Sequence, residues 1–313
     1  MTSLTLAEAA ELSRDPLIAG VAKEILTVDL FSGMIPFKAT GGRNLLLTRE
    51  LTETAATFLG VNVTTDATPG TVTQISFNMG RIVGDAEVDD FEQLQMSDIN
   101  DQQAVQITLQ AKRIGRKWKD AIITGTGSFP NFSGISVLLD SGNQIVEAST
   151  TTTGAALTLA LLDELIDQVT ISDGEVDFII MDAFQRRAYR ALLRTQGLTE
   201  QQVEIGFIDP VNGRTGKNLV LSYDGIPVFK NGYLSTESTN GATDKGRIYA
   251  GVLGEENEGL FGIMPRDNDP GIRISVPFIS QDKDATIRRV KMFTGLALKS
   301  TKALAKLGNL VGA

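Results

Sequence analysis

The chain of 313 residues contains no cysteine, no histidine and a single tryptophan. Without cysteine there is no disulfide framework, no thiolate nucleophile and no zinc ribbon. Without histidine there is no Ser-His-Asp triad and no histidine-ligated metal. Any catalysis would fall to Asp, Glu, Lys, Tyr or Ser/Thr. Long apolar runs are missing as well, since no stretch approaches the roughly 20 residues that span a bilayer. The first twenty residues carry Glu8, Glu11 and Asp15, with the first base at Arg14. They lack the basic start and apolar run of a secretory signal. A soluble chain made in a cytoplasm, with no membrane partner, is expected.

What remains is ordinary globular composition, 42% hydrophobic and 21% charged, which excludes a disordered or collagen-like chain. The length suits two domains of roughly 150 residues or one large one. Acids outnumber bases, 38 to 29, for a formal charge of −9. The excess is unevenly placed. After Asp284 there are no acids but six bases, Arg288, Arg289, Lys291, Lys299, Lys302 and Lys306, so the rest of the chain carries −15. Three readings stay open: complementary contact between copies, a DNA-facing tail, or a basic strand edge that discourages sticking.

Residues 16–30 place Leu17, Ile18, Val21, Ile25 and Val28 on one helical face, with Asp15 before Pro16 as a start signal. Gly33, Pro36 and Gly41-Gly42 then break the chain. Residues 43–51 and 72–83 read as two long strands joined through the turn chemistry of Asp66 to Gly70. Together they predict a long hairpin with few charges, marginal alone and in need of a surface. That surface is either its own domain or another chain.

The longest helical pattern is 97–124, with Ala104, Ile107, Ala111, Ile114, Trp118 and Ala121 at steps of three or four. Lys112, Arg113, Arg116, Lys117 and Lys119 lie away from that stripe. They read as contacts to a polyanion or as a solvated face with ion pairs. A Gly/Ser/Thr-rich stretch, 125–154, leads into a helix at 156–169, a strand at 176–181, and a helix at 182–196 capped by Asp182 and stopped by Gly197. Strands follow at 219–223 and 226–230, joined by Asp224-Gly225 as a two-residue turn. Further strands are expected at 246–253, 259–264, 271–279 and 286–299.

Chemical motifs fail on inspection. Val211–Asn218 shares only Gly216-Lys217 with a P-loop and lies between strands. Asp267-Asn268-Asp269 lacks the Gly and Glu of a calcium loop. Asp89-Asp90 and Glu255-Glu256 are adjacent, so on a strand each pair points to opposite faces. No catalytic, metal or cofactor residue is singled out. A carboxylate-dependent hydrolase remains the rival from another class, because carboxylate pairs can come from distant segments.

The order of elements is more telling. An N-terminal arm, a long hairpin, a long helix and an α/β segment precede a return through long strands. Phe132-Ser133-Gly134-Ile135 follows the long helix. Tyr223-Asp224-Gly225-Ile226-Pro227-Val228-Phe229 is followed by Asn231-Gly232-Tyr233-Leu234, then by Ile248-Tyr249-Ala250-Gly251 and Glu258-Gly259-Leu260. This succession resembles the Hong Kong 97-type major capsid proteins of tailed bacteriophages over nearly the whole chain.

The resemblance implies an α+β fold and a protein that is not an enzyme. Residues 1–42 would be an N-terminal arm and 43–83 an extended loop lying on a neighbouring subunit. Residues 84–130 and 261–313 would form a peripheral domain around the spine helix 97–124, and 131–260 an axial domain. Arg43, Arg49, Phe58, Thr68 and Pro69 would make inter-subunit contacts. Lys112, Arg113, Arg116, Lys117, Lys119, Arg288, Arg289 and Lys291 would meet polyanion or a neighbour. Implied partners are further copies, as pentamers and hexamers of an icosahedral shell, packaged double-stranded DNA bound without sequence preference, a portal protein, and a separate scaffold or cement protein. The implied location is a virion capsid assembled in the cytoplasm of a bacterial host. An encapsulin-like compartment is the nearest rival. No lysine occurs between Lys38 and Lys112, so the loop lacks the nucleophile for the Lys–Asn cross-link of some family members, and a non-covalent shell is expected. Only about forty residues precede the hairpin, too few for a fused scaffold domain.

Overall fold

The computed structural model describes residues 4–5, 21, 30–52, 58, 61, 70–89, 91, 102–139, 144–149, 154–172, 175–208, 215–234, 246–266 and 271–311. The strands are β1 Leu4–Thr5, β2 Pro36–Thr40, β3 Asn44–Thr52, β4 Thr71–Asn78, β5 Gly80–Asp89, β6 Ile145–Glu147, β7 Ala155–Ala156, β8 Phe178–Met181, β9 Gln202–Ile208, β10 Thr215–Tyr223, β11 Ile226–Lys230, β12 Gly246–Gly251, β13 Leu260–Pro265, β14 Ile272–Ile274, β15 Phe278–Ile279, β16 Ala285–Leu298 and β17 Leu304–Val311. The helices are α1 Leu30–Met34, α2 Gln102–Thr124, α3 Ile135–Leu138, α4 Leu159–Asp167 and α5 Ala183–Thr195.

Among the described residues these strands form three sheets. A seven-stranded sheet runs β1-β2-β13-β16-β14, with β5 and β15 also paired to β16. An eight-stranded sheet runs β6-β17-β12-β8-β11-β10-β9, with β7 paired to β17. The β3–β4 hairpin stands as a two-stranded sheet of its own. The 14-residue β16 organises the first sheet. It pairs with β5 from Ala285↔Asp89 to Thr294↔Gly80, then passes to β13 at Gly295↔Ile263. Gly295 sits at that crossing. A Cβ there would lie 2.8 Å from the Asn78 carbonyl and 2.9 Å from Ile263, so the hairpin root needs a glycine beneath it.

Helix α2 lies on this sheet because its apolar stripe matches the sheet's inner face. Ile107, Ala111, Ile114, Trp118 and Ala121 are buried, whereas Ala104, expected on the stripe, is exposed. Trp118 is fully buried, with its ring 6.0 Å from Phe37 and 5.3 Å from Phe132. Trp118→Ala is expected to cost about 3–5 kcal/mol through lost burial and the cavity left behind. Urea unfolding checks this, and a midpoint within error of the parent chain would refute it.

The second sheet carries α4 and α5. Asp224 and Gly225 both have positive φ, 49° and 79°. Together they form the two-residue turn read from the sequence between β10 and β11. Helix α5 ends as its glycine predicted. Gly197 has φ +68°, and Leu198 N–H donates to the Leu193 carbonyl at 2.9 Å, closing the last turn. Asp182 occupies the N-cap position, yet its side chain makes no capping hydrogen bond.

Several boundaries differ from expectation. The strand read as 72–83 is two strands: β4 belongs to the hairpin and β5 to the first sheet, with Met79 between them. The hairpin therefore ends at Asn78, not at residue 83. Helix α1 runs through Gly33, where a break was expected. The strand expected at 271–279 is divided into β14 and β15. Residues 304–311, which the resemblance placed with the peripheral domain, form β17 between β12 and β6 in the second sheet. It is interior and largely buried on both sides, so it lacks the alternation of a half-exposed strand. Of the helix read over 16–30 only Val21, helical and buried, and Leu30, the first residue of α1, are described; the start of the long helix at 97–101 and the turn at 66–69 lie outside the described residues.

Candidate interaction surfaces

The hairpin has two unlike faces because strand side chains alternate. Leu45↔Phe77 and Leu47↔Ile75 pair on one face. With Met79 they pack against Phe261, Ile263 and Ala297 of β13 and β16. Arg49, on the same face, donates from Nε to the Lys299 carbonyl and from Nη2 to the Leu298 carbonyl, both at 2.9 Å. Arg43 lies 4.1 Å over the Phe129 ring. Arg43 and Arg49, expected to contact a neighbour, thus have partners in their own chain and fix the hairpin root. One face of the root covers its own domain, and the other faces away from it.

The outward face pairs Leu46 with Ser76, Thr48 with Gln74 and Glu50 with Val72. Leu46 is 57% exposed and Val72 71%. Toward the tip, Phe58 and Val61 are completely solvent-exposed. Thr68 and Pro69 lie outside the described residues. An isolated exposed leucine is ordinary. Four exposed apolar side chains between residues 46 and 72 are more than scattered exposure explains.

Helix α2 carries five bases and one acid, Asp120. Arg113, Arg116 and Lys117 are exposed, and Lys112 and Lys119 half-buried. Lys117 Nζ pairs with Asp120 at 2.7 Å, and Lys119 Nζ reaches the Lys230 carbonyl at 3.4 Å. Burial pushes the Asp120 carboxyl up, but hydrogen bonds from Lys117 and Thr124 hold it net below its ordinary value. The helix keeps a cation surplus on the side opposite its core stripe.

The tail bases do not form one patch. Arg289 and Lys291 share the face of β16 that aligns with Asp85 and Val83 of β5, whereas Arg288 shares the other face with Val290 and Met292. Arg289 grips Asp85 at 2.6 and 2.8 Å. Lys299 pairs with Glu258 at 3.2 Å. Part of the charge asymmetry is thus neutralised within the chain. The Arg289 hydrogen bond holds the Asp85 carboxyl below its ordinary range, opposed by burial and helped by the charges of Arg289 and Lys291. A carboxylate with a depressed folded-state pKa stabilises above its unfolded value, about 3.9, and loses that contribution as pH falls through the folded value. Both partners are 41% exposed, so solvent screens the pair. Asp85→Asn is expected to lower the melting temperature slightly at pH 7 and to match the parent chain in strong acid. A pH-independent difference would disprove the linkage.

The eight-stranded sheet bears a cleft of about 450 Å³, lined by α4, α5 and the β10–β11 turn through Leu159, Asp163, Tyr189, Leu193, Tyr223 and Asp224. Tyr223 donates its hydroxyl to Asp163, and Tyr189 donates to the Ser222 carbonyl at 3.0 Å. Burial and the Asp163 bond raise the Tyr223 pKa. Both hydroxyls hold structural contacts, and neither is activated as a nucleophile or base. Among the described residues, no group of three or more Asp and Glu converges as a metal site, and no helix is long and apolar enough to cross a membrane.

No family model matches the sequence, and no curated protein matches it. Solved structures do. The chain is similar to the holo-SrpI encapsulin complex of Synechococcus elongatus, with a TM-score of 0.67 and 16% identity over 90% of this chain and 87% of the other. It is similar to the capsid of a native GTA particle, with a TM-score of 0.62 and 12% identity over 91% of both chains. It is also similar to a chain of Mycobacterium phage Ogopogo, with a TM-score of 0.54 and 14% identity over 91% of both. The fold is the Hong Kong 97-like capsid fold, an α+β architecture.

Proposed function

We propose that this chain is the major capsid protein of a tailed double-stranded DNA bacteriophage. Copies assemble as pentamers and hexamers into an icosahedral shell around the genome, held by non-covalent contacts. The observation that carries this reading is the hairpin: its root is clamped to its own sheet by Arg49 while Leu46, Val72, Phe58 and Val61 are presented outward. A neighbour's surface is what such a hairpin lacks. The likeness to the GTA capsid and the phage chain, each over nine-tenths of its length, supports the same reading.

In this reading the seven-stranded sheet with α2 is the peripheral domain and the eight-stranded sheet the axial domain. The hairpin β3–β4 is the extended loop, and Phe58, Thr68 and Pro69 lie in the part that reaches a neighbour. The cation surplus of α2, with Arg288, contacts packaged DNA through phosphate charge and without sequence preference. The protein is not an enzyme, and it resides in the virion capsid after assembly in the host cytoplasm. A portal protein and a separate scaffold or cement protein are its further partners.

Purified protein is expected to elute as capsomers or megadalton particles, with closed shells in negative stain. A homogeneous monomer at every concentration would overturn the reading. The encapsulin likeness, with its TM-score of 0.67, favours a second reading, a shell around protein cargo. Absorbance decides between them. Particles with a nucleic-acid spectrum support the capsid, and particles free of nucleic acid that carry a second polypeptide support the compartment.

A further inference from the structure

Helices α4 and α5 carry charges of opposite sign. Helix α4 (LALLDELID) contains three acids and no base, and α5 (AFQRRAYRALLRT) four arginines and no acid. At about 100° per residue, Arg186, Arg187, Arg190 and Arg194 share one arc of roughly 100° on α5. It lies beside the arc that buries Gln185, Tyr189 and Leu193. Asp163, Glu164 and Asp167 share a similar arc on α4, away from buried Leu162 and Leu165. Arg187, Arg194 and all three acids are exposed, and Arg186 and Arg190 half-buried.

Like charges at i,i+3 and i,i+4 weaken a helix, and both helices stack several. The relief among the described residues is slight. Among the described residues, the arginines share the one carboxylate of Glu200, 3.5 Å from Arg190 and 3.8 Å from Arg194. Arg187 lies 5.1 Å over the Phe184 ring. The Nε atoms of Arg186 and Arg190 are buried with no hydrogen-bond partner among the described residues. Burial, then the neighbouring Arg190 charge, lowers the Arg186 pKa, with Glu200 opposing. On α4, Asp163 accepts from Tyr223, while Glu164 and Asp167 point to solvent.

We infer that the arginine arc of α5 docks on the acidic arc of α4 from a second copy, making a head-to-tail contact between axial domains. The two arcs differ, so the contact is heterologous: each copy offers α4 to one neighbour and α5 to the other, and such contacts form a ring when the rotation between copies closes. Arginine suits the task because its planar fork meets carboxylates with two parallel bonds. This inference rests on the shell reading above and names the surfaces by which the axial domains meet.

Charge reversal tests it. Arg187→Glu with Arg194→Glu, and separately Glu164→Arg with Asp167→Arg, are expected to cut the assembled fraction in sedimentation velocity roughly tenfold. Each variant should melt within a few degrees of the parent chain, because all four side chains are exposed. Combining the four changes should restore assembly to within about twofold. Co-expressing the two variants should give mixed oligomers that neither forms alone. Normal assembly of either variant overturns the inference, as does failure of both the combination and the mixture to recover. An α5 variant that assembles normally but loses nucleic acid assigns the arginines to nucleic acid and also overturns it. Wild-type shells with indifferent variants leave the shell reading standing, whereas a wild-type chain that never assembles sinks both.

Discussion

Removing residues 53–70 should leave a folded chain that no longer closes shells. Thr52 and Thr71 are already paired across the hairpin, so a short turn can join them without disturbing β3 or β4. The root keeps its clamp: Arg49 still reaches the Leu298 and Lys299 carbonyls, and Leu45, Leu47, Ile75 and Phe77 still pack on β13 and β16. What is lost is the tip with Phe58 and Val61, both fully exposed in the single chain. Covering such a side chain contributes about 1.5–3 kcal/mol, and every copy in a shell would contribute its own. Weak contacts multiplied over a closed lattice make assembly steep, so losing two anchors per copy is expected to abolish particles rather than reduce them. Circular dichroism should show an unchanged melt, and negative stain should show no closed shells. Closed shells of normal size from the shortened chain would refute the hairpin assignment.

The second large effect is complete dissociation under denaturing conditions. When intact particles are boiled in detergent without reductant, this chain should run as one band at 33.6 kDa with no higher multiples of it. There is no cysteine for a disulfide, and the chain has no lysine between Lys38 and Lys112, so the whole hairpin lacks an amine nucleophile. Lys38 is paired with Glu255, and Lys299, at the hairpin root, is paired with Glu258. The shell must then hold through burial and charge alone. A ladder of dimers and higher multiples that survives boiling would show a covalent link and contradict this account. The same logic makes particle stability sensitive to ionic strength wherever exposed pairs contribute, because salt screens them.

Parts of this fold were legible in the sequence for specific physical reasons. Asp224-Gly225 announced its turn because both positions require positive φ. Gly197 announced the end of α5 for the same reason. The stripe from Ile107 to Ala121 announced the spine because a helix on a sheet must bury one face. The division at Met79 was not legible. Residues 71–89 form one extended run, and only pairing decides that β4 turns to β3 while β5 turns to β16. Strand β17 was not legible either, since an interior strand buries both faces and loses its alternation. Arg43 and Arg49 were found as functional candidates by their place on the hairpin, but their partners lie far along the chain, at Phe129 and at Leu298 to Lys299.

Two kinds of information therefore separate. The missing cysteines and histidines, the lysine-poor hairpin, the basic face of the spine helix and the order of elements are properties of the chain itself. They determined which chemistries are closed to this protein and which fold it resembles. Tertiary structure alone decided which charges are used up internally and which remain. It paired Arg289 with Asp85, put Arg288 on the opposite face, and left α4 and α5 with unbalanced charge of opposite sign. Composition counts charges, but only folding brings residues some 200 positions apart to within hydrogen-bonding distance, and that proximity determines what surface is left for another copy to meet.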